Sequence, residues 1–316
     1  MLSFLKLIRI QNLLIVAATQ YLMRFAVIAP ILSINDFALQ MTEFEFFILV
    51  LSTICLTAAG YVINDYFDTK TDNLNRPETV IVGKSIKRRS AMTLHLILNL
   101  VGVIGGFYVS YKIGLYQLGI IFLIASGILW YYSTSYKRQF LIGNVLVAFL
   151  TGLVPFMVIL FEMPELNKAY KDILIENGMT FNHVFFWVTG FAFFAFMTTL
   201  SREIIKDTED FEGDSAYGRN TVPIMLGIQW TKTIIITLTA ITIVSISIIY
   251  FYYLTGSLLT LLYISFMVVL PLLFLIYKIV KADKKADYHF ASVLMKLVML
   301  TGILYSLVAA YTFNNL

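Results

Sequence analysis

Apolar residues in this chain come in long runs, not in alternation. Nine stretches of roughly 20 mostly apolar residues, the length a helix needs to cross the hydrocarbon of a bilayer, lie at about 12–32, 44–63, 91–110, 114–132, 141–161, 182–201, 233–253, 258–280 and 291–312. Unbroken runs of this length predict helices and argue against the alternating pattern of a membrane β-barrel. The first run follows Lys6 and Arg9, exceeds a signal-peptide core and has no small-residue cleavage site, so it is read as retained. The expected fold class is all-α, a polytopic membrane protein of nine transmembrane helices. No linker divides the chain, so residues 1–316 are expected to form one transmembrane domain.

Composition agrees with this pattern. Hydrophobic residues make up 59% of the 316, charged residues only 13%, and the mean hydropathy is +0.82. A soluble globule needs more polar surface than that. The 26 Phe and 19 Tyr exclude a disordered chain, and one cysteine, Cys55 in an apolar run, excludes a disulfide scaffold. The net charge of +4 says little as a total, but its distribution orients the protein. With the N-terminus inside, the inner segments hold 18 Lys and Arg against three outside (Lys112, Lys168, Lys171), and Arg24 and Lys296 fall within spans. By the positive-inside rule, this predicts a cytoplasmic-membrane protein with its N-terminus and its two longest inner loops, about 64–90 and 202–232, on the cytoplasmic side. Clusters such as Lys87-Arg88-Arg89 read as anchors beside anionic headgroups. There is no basic arm of a nucleic-acid binder and no evident obligate protein partner.

The acids carry the chemistry. Asp65, Asp68 and Asp72 follow Asn64 at the exit of the second span, and Asp207, Asp210 and Asp214 stand at the exit of the sixth. Each acid of the second set lies 142 residues after its counterpart, so one functional element is repeated in a D-x-x-D-x-x-x-D pattern. The i, i+3, i+7 spacing puts three carboxylates on one face of a helix, near a C-terminus where the helix dipole disfavours anions. Such acids read as solvated loop charges, as an ion-pair network with the neighbouring Lys and Arg, or, best for a pattern made twice, as carboxylates neutralised by a bound cation. Hard divalent cations fit, and Mg²⁺ takes carboxylate together with substrate phosphate oxygens. The three histidines, His95, His183 and His289, are scattered and offer no soft-metal or haem site. Basic residues accompany both sets: Arg76 and Lys84 after the first, Arg202, Lys206 and Arg219 around the second. Metal plus guanidinium holds a diphosphate. A diphosphate at the mouth of an apolar helical bundle implies a hydrocarbon tail, hence a prenyl diphosphate losing its diphosphate to leave an allylic cation-like centre. Tyr61, Tyr66, Phe67, Tyr131, Tyr132 and Tyr217 are candidate rings for cation–π stabilisation.

These residues make the chain resemble the UbiA superfamily of intramembrane prenyltransferases. The resemblance rests on Asn64 to Asp72, on Lys206-Asp207-Thr208-Glu209-Asp210-Phe211-Glu212-Gly213-Asp214, on Arg9 with Asn12, on Tyr132-Ser133 followed by Lys137-Arg138, and on Asn75-Arg76-Pro77. It implies nine helices around a central cavity with a lateral opening to lipid and two Asp-rich motifs binding Mg²⁺ and diphosphate. Carried over residue by residue, Asn64, Asp65, Asp68 and Asp72, with Asp207, Asp210 and Asp214, would be metal and diphosphate ligands. Lys137, Arg138, Arg202 and Lys206 would contact diphosphate, Asn12 and Tyr132 would bind substrate, and Asp214 could instead position the acceptor. The continuation Asn75 to Lys84 looks like the geranylgeranylglyceryl phosphate geranylgeranyltransferase branch. The expected reaction is Mg²⁺-dependent transfer of a geranylgeranyl group to geranylgeranylglyceryl phosphate in ether-lipid synthesis, with Arg202, Arg219 and Lys84 as cations for the acceptor phosphate. The alternatives are an aromatic acceptor (4-hydroxybenzoate, dihydroxynaphthoate or homogentisate) in quinone synthesis and, more remotely, a cation-coupled transporter. Pro155 and Pro271 are expected to kink the fifth and eighth spans, Gly102, Gly105, Gly106, Gly143 and Gly152 to allow close helix approach, and Arg24 to snorkel outward or face a polar cavity.

Overall fold

The computed structural model describes residues 2–75 and 77–314; Arg76, one of the inner basic residues of the sequence reading, lies outside them. Among the described residues the chain is helical throughout, with one isolated bridge between Val82 and Ile86. Nine helical segments are long and apolar enough to cross a membrane by length and composition: Ile10–Ser33, Glu43–Leu74, Arg88–Lys112, Tyr116–Thr134, Ile142–Ala169, Asn182–Glu209, Val222–Leu254, Leu258–Lys281 and Lys285–Phe313, here spans 1 to 9. The apolar pattern located every one. It set several ends too early, because polar residues continue a helix as readily as apolar ones once they leave the hydrocarbon. Span 2 runs on through the first acid set to Asn75, since after Gly60 no glycine or proline interrupts it before Pro77. The segments expected as inner loops are therefore largely helix.

The chain folds as two compact units interleaved in sequence: one comprises the chain up to Tyr21, Ala38–Lys137 and Met157–Phe185, the other Leu22–Phe37, Arg138–Phe156 and the chain from Phe186 onward.

In the first unit, span 2 begins with a capping box. The Thr42 hydroxyl accepts from the backbone N–H of Glu45, and the Glu45 carboxylate accepts from the backbone N–H of Thr42 at 3.0 Å. Just upstream, the fully buried Glu162 carboxylate accepts the backbone N–H groups of Gln40 and Met41, pinning the entry to span 2. Spans 2 and 3 pack closely, as the glycines predict. A Cβ on Gly102 would meet Leu56 at 2.8 Å and one on Gly105 would meet Ser52 Oγ at 2.3 Å. His95 is buried in span 3, with Nδ1 3.0 Å from the Ala59 carbonyl oxygen and Asn99 one turn further on, a polar staple between helices.

In the second unit, Ala148, Ile204, Ile205, Leu272, Leu275, Ala291 and Met295 belong to one apolar core. Of the two expectations for Arg24, the outward snorkel does not hold: it is 1% exposed within a π-helical turn, Met23–Ile28, with its guanidinium 5.6 Å from the Phe25 ring centre. The prolines divide. Pro155 sits in the uninterrupted helix Ile142–Ala169, whereas Pro271 follows a π-helical turn, Ile264–Val269. Proline has no N–H to offer the carbonyl four residues back. That carbonyl, on Met267, instead accepts from the Thr301 hydroxyl of span 9 at 2.8 Å. Thr301→Val should cost about 0.5–1.5 kcal/mol, read as a lowered unfolding midpoint in detergent, with prenyl-transfer activity of the surviving folded protein unchanged.

Candidate functional site

The first acid set lies on the inner part of span 2, in continuous helix from Asn64 through Asp72, so its carboxylates share one helical face as the spacing requires. Side chains from two other segments meet them. Arg9 stands between the short helix Leu2–Leu7 and span 1, and its Nη2 donates to Asp65 Oδ1 at 2.8 Å. Lys137, just after span 4, places Nζ 2.6 Å from Asp68 Oδ1 and 3.3 Å from Asn64 Oδ1, with its side chain 5% exposed. Arg9 thus serves Asp65, and Lys137 serves Asp68 and Asn64. Arg9 also has a left-handed backbone, φ 52°, where a residue with a Cβ is disfavoured. Asp72 makes neither of these pairs.

Two of the candidate rings already face cations. The Arg9 guanidinium lies 4.7 Å from the Tyr61 ring centre, and Tyr61 OH accepts from Asn12 Nδ2 at 3.3 Å. Arg88 lies 4.1 Å from the Tyr66 ring centre and donates to the Thr69 hydroxyl at 3.2 Å. Phe67 meets Trp130 edge to face. Tyr131 is exposed and Tyr132 half-buried. Asn12 therefore reaches the first acid set through Tyr61. Lys84 donates to the Pro77 carbonyl at 2.8 Å.

The second acid set is built differently, and here the spacing argument fails. Span 6 ends at Glu209, Asp210 is the cap residue, and a new short helix runs over Phe211–Ala216. Asp207, Asp210 and Asp214 thus do not lie along one continuous helical face. The repeat in sequence is not a repeat in backbone: the first set lies within one helix, and the second lies across the break at Asp210. Gly218 takes φ 63°, and Arg219 then returns onto Asp214. Its backbone N–H reaches the Asp214 carbonyl at 3.0 Å, and its Nη1 lies 2.9 Å from Asp214 Oδ1. Asp214 is 2% exposed. Asp207 Oδ2 accepts from Asn144 Nδ2 of span 5 at 2.8 Å. Arg202 and Lys206 both approach the Glu203 carboxylate, at 3.4 and 3.1 Å, and Arg202 Nε also reaches the Ser292 carbonyl of span 9. Glu209 pairs with His289 Nδ1 at 3.0 Å. Arg138 has an exposed side chain and engages the second motif through its backbone, its carbonyl accepting the N–H of Asn220 at 2.8 Å. Tyr217 is exposed.

The sequence reading missed Asn144, Glu203 and Arg88. Asn144 could have been noticed as a polar residue opening an apolar span, and Glu203 as an acid in the turn before the second set. Arg88 lay within a cluster read only as a lipid anchor.

The donors around the first set fit Mg²⁺. They are all oxygen, three carboxylates and an amide on successive turns, which is hard-cation chemistry. Among the described residues no three His, Cys, Asp or Glu side chains close into a cage.

Comparison with known proteins bears on the same residues. The digeranylgeranylglyceryl phosphate synthase of Methanothermobacter thermautotrophicus is 34% identical over 204 residues, 64% of this chain and 64% of that protein, so the match spans just under two thirds of the relative's length. That of Methanosphaera stadtmanae is 31% identical over 257 residues, covering 80% of this chain and 84% of the relative. Among solved structures, one of digeranylgeranylglyceryl phosphate synthase is similar with TM-score 0.65 and 22% identity, covering 96% of this chain and 98% of the other. A UbiA homologue from Archaeoglobus fulgidus, bound to GPP and Mg²⁺, is similar with TM-score 0.57 and 16% identity, covering 96% and 99%. At such identities these two structures speak for the fold. The model of the UbiA prenyltransferase family matches residues 15–313, nearly the whole length, and both acid sets fall inside it: the chain belongs to the UbiA prenyltransferase family.

Proposed function

We propose that this multi-pass membrane prenyltransferase transfers a geranylgeranyl group from its diphosphate to the free hydroxyl of geranylgeranylglyceryl phosphate. The observation that carries the reading is the first acid set in a chain of this family: three carboxylates and an amide on one helical face, held by the cations Arg9 and Lys137 that a diphosphate also requires. The naming of the Methanothermobacter and Methanosphaera relatives supports the glyceryl phosphate acceptor. The A. fulgidus homologue, with GPP and Mg²⁺, supports the donor class and the metal.

In this reading Asn64, Asp65, Asp68 and Asp72, and Asp207, Asp210 and Asp214, hold the metal, which supplies positive charge to the departing diphosphate. Lys137, Arg138, Arg202 and Lys206 neutralise diphosphate oxygens, and Asn12 and Tyr132 line the donor. The C1–O bond of the donor breaks, its electron pair leaving on diphosphate. The acceptor hydroxyl oxygen forms the new ether bond to C1, and its proton leaves with the released diphosphate. Arg219 and Lys84 are the cations for the acceptor phosphate. The protein works as one transmembrane domain, with both acid sets on the cytoplasmic side as the 18-to-three bias of basic residues directs.

The test incubates purified protein with labelled geranylgeranyl diphosphate, Mg²⁺ and one acceptor at a time. A labelled ether lipid should form with geranylgeranylglyceryl phosphate and none with 4-hydroxybenzoate, dihydroxynaphthoate or homogentisate. Product with an aromatic acid alone would move the chain to quinone synthesis. No Mg²⁺-dependent diphosphate release with any acceptor would remove the enzyme reading.

A further inference from the structure

The acids of the two sets differ in what holds them. Asp65 has Arg9, Asp68 has Lys137 and Asp214 has Arg219, each a cation at 2.6–2.9 Å. Asp207 has a neutral amide instead. Asn144 Nδ2 donates to its Oδ2 at 2.8 Å, and among the described residues this is the one hydrogen bond of the Asp207 side chain. Lys206, the residue before it, turns its ammonium to Glu203 at 3.1 Å. Lys206, Glu203 and Asp214 therefore act on Asp207 through their charge and not by contact. Asn144 is 8% exposed and stands in the first turn of the helix Ile142–Ala169. That helix starts directly after Leu141, whose backbone is left-handed at φ 59°, a conformation that residues with a Cβ rarely adopt. Leu141 packs on the apolar core of the second unit, so the start of span 5 is fixed, and Asn144 with it.

We propose that Asn144 is a positioning residue for the metal at the second acid set: its amide fixes Asp207 through Oδ2 and leaves Oδ1 for the ion. This rests on the function proposed above. A carboxylate free to turn about its side-chain bonds loses that freedom when it binds a metal, and a donor already in place removes part of the loss beforehand. The donor's lack of charge matters as much. A guanidinium or ammonium in the same place would also hold Oδ2, but it would repel a divalent ion binding to the other oxygen of the same carboxylate. A neutral amide orients the acid without opposing the metal. Groups that hold a metal ligand from behind in this way tune metal affinity although they never touch the ion. Asn144 belongs to neither acid motif and comes from a different helix, 63 residues earlier than Asp207.

The experiment titrates full-length protein in detergent with Mn²⁺ in the presence of inorganic diphosphate. Binding is followed by electron paramagnetic resonance, after subtracting the manganese–diphosphate complex that forms without protein, and the unfolding midpoint of each variant is measured alongside. Asn144→Leu, close in size and without a donor, should weaken Mn²⁺ by about 10–100-fold while the number of sites per folded molecule stays the same. Asn144→Ala carries the same expectation and serves if the leucine variant does not fold. Gly152→Ala separates positioning from simple loosening of the helix pair. Its new Cβ would stand 2.9 Å from the Ala192 carbonyl oxygen, so it disturbs the packing of spans 5 and 6 about two turns beyond Asn144 without touching Asp207. It should lower the unfolding midpoint and leave Mn²⁺ affinity at the wild-type value. Mn²⁺ affinity unchanged in the Asn144 variants, with or without a loss of sites, overturns the positioning role. So does a Gly152→Ala variant weakened as far as Asn144→Leu. Either result leaves the proposed function standing. Wild-type protein that binds no Mn²⁺ even with diphosphate overturns both.

Discussion

Asp72→Asn is expected to lower prenyl transfer by on the order of 10²–10³-fold, the loss typical of removing one group that stabilises charge developing in a transition state, without lowering stability. Asp72 shares the helical face of Asp65 and Asp68 but makes neither the Arg9 nor the Lys137 pair. Neutralising it removes a ligand and relieves repulsion among three carboxylates on one face. Asp68→Asn should lose activity on the same scale and also lose stability, about 1.5–3 kcal/mol, because it removes the carboxylate charge paired with the enclosed Lys137 ammonium. The contrast is the informative part. Each variant is assayed for Mg²⁺-dependent diphosphate release at saturating donor and for its unfolding midpoint in detergent. If Asp72→Asn keeps full activity, the first acid set does not work as a unit. If it loses activity only in proportion to lost folded protein, the acids are structural.

Arg219→Met should be the most destabilising of the simple substitutions, by about 3–5 kcal/mol. The Arg219 guanidinium lies 2.9 Å from Asp214 Oδ1, with side-chain exposures of 13% and 3%, so the variant takes a guanidinium away from an enclosed carboxylate. The backbone is also committed here. The left-handed Gly218 returns the chain so that Arg219 N–H meets the Asp214 carbonyl, and Phe211–Ala216 packs on the start of span 7 through this turn. Removing both charges, as Arg219→Met with Asp214→Leu, should restore much of the lost stability, because two apolar side chains of similar bulk avoid the desolvation that a single charge suffers. Activity should not return, since Asp214 belongs to the second acid set. Thermal unfolding of the two variants settles the stability half, and diphosphate release settles the other. A single variant as stable as the wild type would mean that Asp214 is not held by Arg219.

The spans were legible because a lipid-facing helix leaves an unmistakable record: some 20 apolar residues without relief. Their ends were less so. Span 2 was expected to stop near 63 and continues to Asn75, since outside the hydrocarbon nothing in Asp65 to Asn75 marks a boundary until proline intervenes. Asp65 and Asp207 look alike in sequence, but one lies in mid-helix with Arg9 and the other near a helix end with Asn144. A match in acid spacing is blind to that difference.

The sequence by itself determined that the chain carries nine stretches long and apolar enough to cross a membrane, that an acid element is repeated at an interval of 142 residues, and that cations accompany both copies, because these depend only on side-chain type and spacing along the chain. Tertiary structure decided which cation answers which acid. Lys137 reaches Asp68 across 69 residues of chain, Asn144 reaches Asp207 across 63, and Thr301 reaches the carbonyl freed by Pro271 from the next span. Such pairings are fixed by how helices pack, through contacts between residues far apart in sequence, and no local pattern records them.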